Sequence, residues 1–265
     1  MSIPKVIHYC WFGGNPLSEK VKKCIGSWKR NCPDYEIILW DESNYDIHKN
    51  EYIEEAYQAK KWAFVSDYVR LDVVYRYGGV YLDTDVELVK GLDCLLHEKV
   101  FFAIEKNNCQ IATGLGFGAE KGNTTVKELM EIYDTLSFVK EDGSYNLVAC
   151  PKYTTDYFVK KGYVVKDDTQ RIGESLILAS DFFCPMDFET GIVEKTNNTV
   201  GIHLYEASWF PESDKHIRQV EMKIRAKFQG KIGRMLCRVY RNSYRLQEYI
   251  RKGILLKRIV EKMRK

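Results

Sequence analysis

The sequence predicts an α/β fold, an open and partly parallel sheet flanked by helices, with a basic helical appendage at its C-terminal end. Three observations predict it. A strand, a glycine loop, a helix and a second strand follow one another at the N-terminus; an all-round apolar helix leads into a short buried strand that ends in two carboxylates; and the charge balance breaks near residue 211.

The elements follow in order. Residues 5–12 are β-branched and aromatic and stop at Gly13-Gly14, after which Leu17, Val21, Cys24, Ile25 and Trp28 recur at helical spacing. Asn15-Pro16 supplies an N-cap and a first helical residue, and Pro33 precedes a second strand over residues 35–40. Such a unit implies parallel strands and a right-handed crossover, with ligands bound beyond the carboxyl ends of the strands, where Trp11 to Gly14 stand. Residues 53–77 are apolar on most faces and predict one long buried helix, on which Asp67 and Arg70, three apart, are neighbours. Gly78-Gly79 ends it, and Val80-Tyr81-Leu82 continues as a strand into Asp83-Thr84-Asp85. Further strands are predicted at 100–104, 115–119 and 202–204, and helices at 124–138 and 152–161. The last strand carries His203 and leads to Ser208, Trp209 and Pro211, which closes a domain of residues 1–211 before a tail of residues 212–265.

The composition, 45% apolar and 29% charged over 265 residues, excludes disorder and fibrous classes. No run of 18 apolar residues or secretion pattern is present in the sequence, which predicts a cytoplasmic chain. Eight cysteines without a CxxC pair or a Cys/His cluster predict buried, reduced thiols rather than zinc or disulfides. The net charge of +3 hides 17 Lys/Arg against 3 Asp/Glu in residues 215–265, leaving 23 against 34 in the body. Apolar tail residues recur at three and four among the cations, predicting an amphipathic basic helix interrupted near Gly230, Gly233 and Gly253. Such a helix suits the anionic cytoplasmic face of a membrane, with packing on the domain or a coiled-coil partner as the other readings. Nucleic acid is not expected, because the body is acidic and the tail has no recognisable binding motif.

Alternation along a strand puts Asp83 and Asp85 on one face, where two carboxylates repel unless a cation lies between them. Oxygen ligands suit a hard ion such as Mn²⁺ or Mg²⁺. An EF-hand loop starting at Asp83 needs Gly at its sixth position, and Leu88 stands there. A phosphatase working through an aspartyl phosphate stays open, although the supporting Ser/Thr and Lys motifs are not evident.

The runs Ser66-Asp67-Tyr68-Val69-Arg70 and Tyr77-Gly78-Gly79-Val80-Tyr81-Leu82-Asp83-Thr84-Asp85 resemble glycosyltransferase family 32, whose sugar-binding region carries a DXD motif. Residues 3–14 and His203 with Ser208-Trp209 are similar to the same family, and the large glucosylating toxins resemble it more distantly. The resemblance implies a GT-A fold, a nucleotide-sugar donor, a divalent metal and transfer with retention. It implies that Trp11 lies against the base, that Asp67 and Arg70 hold sugar hydroxyls and phosphate, and that Tyr81 supports the nucleotide. Asp83 and Asp85 take the metal and ribose positions, His203 is a third metal ligand, and Ser208 and Trp209 close over the diphosphate. Asp67, Arg70 and Asp85 are thus the catalytic set. A metal held by carboxylates stabilises the leaving diphosphate without proton transfer, and with no nucleophile evident same-face attack is favoured. Ile111-Ala112-Thr113-Gly114 departs from the family, which often has Asn there. The expected activity is transfer of a hexose, from UDP-hexose ahead of GDP-mannose, to an oligosaccharide or lipid-linked glycan in cell-surface or capsular polysaccharide assembly. A silent membrane-associated scaffold and a toxin-like transferase acting on protein are the alternatives.

Overall fold

The computed structural model describes residues 2–206, 212–228 and 230–251. Strand β1 (Val6–Cys10), helix α1 (Glu19–Asn31) and strand β2 (Glu36–Trp40) make the expected unit, with β1 and β2 parallel in register from Val6–Glu36 to Cys10–Trp40. The helix starts later than Asn15-Pro16 suggests. Ser18 is its N-cap, accepting from the Val21 amide at 3.3 Å, with Glu19 favourably placed in the first turn. Residues 13–17 therefore remain a loop, entered through Gly13 at φ 93° and Gly14 at φ 66°.

The single helix expected over residues 53–77 is two, α2 (Glu51–Gln58) and α3 (Trp62–Tyr77), separated at Lys60, which adopts φ 56°. Gln58, Ala59, Lys60 and Lys61 are all good helix formers, so propensity gives no warning of the break. Tertiary packing overrides it: the Tyr57 and Trp62 rings meet edge to face across the corner, 5.0 Å apart. Helix α3 is buried from Phe64 to Val74 except at Ser66, and ends where the Gly78 amide bonds the Val74 carbonyl.

After it come β3 (Gly79–Tyr81), β4 (Val86–Leu88), β5 (Val100–Ala103), β6 (Phe117–Ala119), α4 (Thr124–Tyr133), α5 (Cys150–Lys160), β7 (Gln170–Ile172), β8 (Ser175–Leu178) and β9 (Gly201–His203). Seven strands form one mixed sheet in the order β2-β1-β3-β6-β5-β8-β7, and β4 pairs with β9 in a small antiparallel ribbon. Alternation along β5 sends Val100 and Phe102 into one core and Phe101 and Ala103 into the other. The first core is shared with α2 to α5 and the second with α1, so helices cover both faces of the sheet.

His8 ties the central strands to the helix end. Its Nδ1 accepts from Trp40 Nε1 at 3.1 Å and its Nε2 lies 2.8 Å from the Gly78 carbonyl, a network that assigns the neutral ring with hydrogen on Nε2. Burial pushes its pKa down to about 4, consistent with that assignment. Gly79, at φ 112°, passes so close to β1 that a Cβ would stand 2.8 Å from the Val6 carbonyl oxygen.

Two compact units divide the described residues. The sheet and its helices form one. The other combines Asp187–Ile192 with α6 (Glu212–Lys227) and α7 (Gly230–Arg251). Gly230, at φ 66°, separates α6 from α7, but Gly233 lies inside α7 and interrupts nothing. A Cβ there would stand 1.7 Å from the Phe228 carbonyl oxygen, so Gly233 serves close approach. Gly253 lies outside the described residues. Arg241 clamps Glu221 with two bonds of 2.8 and 2.6 Å, joining α7 to α6.

All eight cysteines are free thiols. Six are buried as expected, whereas Cys94, in a short 3-10 helix, is exposed and Cys109, just past a turn, is half-buried. Among the described residues no helix is long and apolar enough to cross a membrane.

Candidate active site

Arg70 is the centre of the site. Its position in the middle of α3 buries the guanidinium to 3% exposure, so each nitrogen needs a partner within the protein. Nε donates to the Ser66 carbonyl at 3.0 Å, and Nη2 reaches Ser66 Oγ at 3.1 Å, Asp67 Oδ1 at 3.2 Å and Asp83 Oδ1 at 3.1 Å. Nη1 reaches Thr113 Oγ1 at 3.4 Å and Cys150 Sγ at 3.5 Å, and the Tyr81 ring lies 4.9 Å beneath. The Tyr81 hydroxyl donates to Asp83 Oδ1 at 3.0 Å. The i,i+3 pairing read from the sequence is present, and Arg70 binds a second carboxylate besides.

Asp83 and Asp85 are not on a strand. Strand β3 stops at Tyr81, and the Val86 amide closes a turn onto the Asp83 carbonyl at 3.0 Å. The turn, rather than strand alternation, sets the two carboxylates side by side. Gly114 makes room for the first of them: the Asp83 amide donates to its carbonyl at 3.0 Å, and a Cβ on Gly114 would stand 2.0 Å from Asp83 Oδ2.

The β4–β9 pairing sets His203 opposite Val86, and His203 Nε2 lies 3.2 Å from Asp85 Oδ1. Asp85 Oδ2 accepts from the Glu206 amide at 2.9 Å. One ligand atom from each of Asp83, Asp85 and His203 falls within 4.8 Å of the others. His203 Nδ1 is buried with no hydrogen-bond partner among the described residues. Two carboxylates and an imidazole fit a divalent cation such as Mn²⁺ or Mg²⁺. Burial works against charge at both partners, yet the attraction between Asp85 and His203 holds the carboxyl below its usual range and raises the imidazole.

Asp67 behaves in the opposite way. Burial pushes its pKa up to about 6, with Arg70 opposing and the Asp83 charge adding to the rise. An acid whose folded pKa is raised ionises at a cost to the fold, fully present above about pH 6 and relieved as the pH falls towards the unfolded value near 4. We expect Asp67→Asn to gain on wild type in stability as the pH rises from 4 to 7.5, by about 2–3 kcal/mol. Thermal melts at both pH values measure this; a difference between the two proteins that does not change with pH would show that burial does not raise the Asp67 pKa.

Trp11 stands just beyond the carboxyl end of β1, half-buried, with Nε1 donating to the Asn15 carbonyl at 2.5 Å. Beside it, past the ends of β1 and β2, opens a cleft of about 670 Å³ lined by Gly13, Gly14, Asn15, Glu42, Tyr57, Lys60 and Trp62. Glu42 accepts from the Gly13 amide at 2.6 Å and from the Tyr57 hydroxyl at 3.1 Å, which fixes the glycine loop. Ser208 and Trp209 lie outside the described residues. Sequence reasoning missed Glu42, Lys60 and Cys150 as site neighbours and read Thr113-Gly114 only as a departure from the family. Glu42 follows the second strand as Trp11 follows the first, a signal that was available; Thr113, Gly114 and Cys150 arrive through long-range packing.

Residues 18–102 match the family described as glycosyltransferase sugar-binding region containing DXD motif. The inositol phosphoceramide mannosyltransferase 3 of Schizosaccharomyces pombe is 37% identical over 108 residues, 36% of this chain and 28% of that protein. The mannosyl phosphorylinositol ceramide synthase SUR1 of Saccharomyces cerevisiae is 32% identical over 102 residues, 36% of this chain and 25% of that protein. The match thus spans only about a quarter of the length of these curated relatives. Among solved structures, a glycosyltransferase involved in the glycosylation of the major capsid of PBCV-1 is similar at a TM-score of 0.49 and 11% identity, over 83% of this chain and 100% of that one.

Proposed function

We propose that this chain, whose residues 18–102 belong with the glycosyltransferase sugar-binding regions containing the DXD motif, is a metal-dependent GT-A glycosyltransferase. It moves a hexose from a nucleotide diphosphate sugar to a glycan acceptor. The observation that carries the reading is the convergence of Asp83, Asp85 and His203 within 4.8 Å at the end of β3, beside the Arg70 network.

Asp83, Asp85 and His203 would hold a divalent cation, which would offset the negative charge that develops on the departing diphosphate. Asp67, 7% exposed and fixed by Arg70, faces the sugar hydroxyls, and Arg70 itself keeps both carboxylates in place because its own donors are engaged within the protein. The cleft past β1 takes the nucleoside, with Tyr57 and Trp62 as its aromatic walls and Trp11 beside it, and Tyr81, Ser208 and Trp209 complete the nucleotide site. No carboxylate nucleophile is assigned, so retention is attributed to same-face attack.

UDP-hexose and GDP-mannose are the donors to separate; the mannosyltransferase names of the relatives favour the second. An oligosaccharide or a lipid-linked glycan is the acceptor, in cell-surface or capsular polymer assembly. Residues 212–265 hold the enzyme peripherally on the cytoplasmic membrane face, near such acceptors. Release of UDP or GDP from a panel of nucleotide sugars with Mn²⁺ tests the reading. Release from one donor, absent with chelator, is expected. No release from any donor, together with no metal-dependent nucleotide binding by calorimetry, would leave a silent scaffold.

A further inference from the structure

We infer that the outward face of α7 is a lipid-contact surface that seats an apolar stripe in an anionic bilayer, a deepening of the peripheral attachment proposed above. The inward face of α7 is already taken. Gly233 and Cys237 are buried, Cys237 Sγ lies 3.7 Å from the Glu221 carbonyl, Arg241 clamps Glu221, and the Tyr240 hydroxyl is 3.1 Å from His216 Nε2. These contacts fix which way the helix faces.

The opposite side carries Ile232, Met235, Val239, Leu246 and Ile250, exposed at 60, 59, 57, 48 and 58%. At 100° per residue they fall within about 60° of one another, a single stripe of large apolar side chains open to solvent. Lys231, Arg234, Arg238 and Arg245 each immediately precede a member of that stripe, so they line one flank about 100° round the helix. All four are exposed, and Arg245 also reaches Asp214 at 3.7 Å.

The charge pattern selects the occupant. The one acidic residue of α7, Glu248, lies on the inward half of the helix, so a second copy paired stripe to stripe brings no carboxylate from α7 to these four cations. An anionic lipid surface meets both needs together, taking the stripe between its acyl chains and the flank among its headgroups. Beyond Arg251 the sequence adds six further Lys/Arg against one Glu.

The test is co-sedimentation of the full chain with vesicles of phosphatidylcholine alone or mixed with phosphatidylglycerol, at low salt. Wild type is expected on the mixed vesicles only. Replacing three cations, Lys231→Gln with Arg234→Gln and Arg238→Gln, should weaken binding about 100-fold. The stripe variant Val239→Ser with Leu246→Ser should weaken it about tenfold or more, with unchanged melting because both side chains face outward. Equal binding by wild type and both variants would overturn the inference. So would absence from anionic vesicles combined with a dimer in sedimentation velocity that Val239→Glu dissociates, which would make the stripe a self-association surface. Donor hydrolysis is measured with soluble substrates, so its failure and the failure of lipid binding are read separately.

Discussion

Asp85→Ala is expected to lower metal-dependent release of nucleoside diphosphate by about 1,000-fold, the largest effect of any single change at the site. The carboxylate is the hinge between the two halves of the proposed cation site. One oxygen faces His203 Nε2 at 3.2 Å, and the other accepts the Glu206 amide at 2.9 Å. Burial opposes its charge, but the attraction and hydrogen bond of His203 together with the backbone amide of Glu206 hold its carboxyl below the usual range. Asp83 makes a poorer test, because removing it also strips Arg70 of a partner at 3.1 Å and confuses chemistry with folding. The variant should melt within about 1–2 kcal/mol of wild type without metal, bind Mn²⁺ far more weakly by calorimetry, and keep its fold by circular dichroism. Activity within tenfold of wild type would remove Asp85 from the proposed cation set.

Much of this site follows from local pattern. Asp67 and Arg70 are visible because three residues is one helical step, and the helix around them is too apolar to leave charges unexplained. The first β-α-β unit is visible because glycine and proline mark its ends. What sequence could not show is set by partners distant in the chain. The corner at Lys60 is written in helix-forming residues and is bent by the meeting of Tyr57 and Trp62. The hairpin of β7 and β8 was overlooked although Gly173, at φ 58°, turns it. His203 reaches Asp85 only because β9 pairs with β4 in one register, and a shift by one residue would turn the imidazole to the other face.

Arg70 also changes meaning between sequence and structure. The family resemblance implies a phosphate-holding guanidinium, whereas in the structure its donors are engaged with Ser66, Asp67, Asp83 and Thr113. In the proposed reaction the residue acts on the donor through the carboxylates it orients. Thr113, in the segment that departs from the family, is one of those anchors.

Gly114→Ala should cost about 100-fold in activity while altering no group that could touch a substrate through its own chemistry. The added methyl would arrive 2.0 Å from Asp83 Oδ2 and 3.1 Å from Arg70 Nη1. Neither neighbour yields readily: Asp83 Oδ1 is held by Arg70 at 3.1 Å and by the Tyr81 hydroxyl at 3.0 Å, and the Asp83 amide is tied to the Gly114 carbonyl. To relieve the contact the carboxylate must move by about 1 Å, enough to spoil a cation site whose ligand distances tolerate only a few tenths of an ångström. A stability loss of about 1–3 kcal/mol should accompany it, the usual cost of overpacking. Gly26 provides the contrast. It lies inside α1, where a Cβ meets only the Arg30 side chain at an ordinary 3.4 Å, so Gly26→Ala should stabilise by about 0.5–1 kcal/mol and leave donor release unchanged. If Gly114→Ala instead behaved like Gly26→Ala, the carboxylate geometry would be far softer than its three hydrogen bonds imply. The cation cluster would then have to assemble by movement of Asp83 when donor binds.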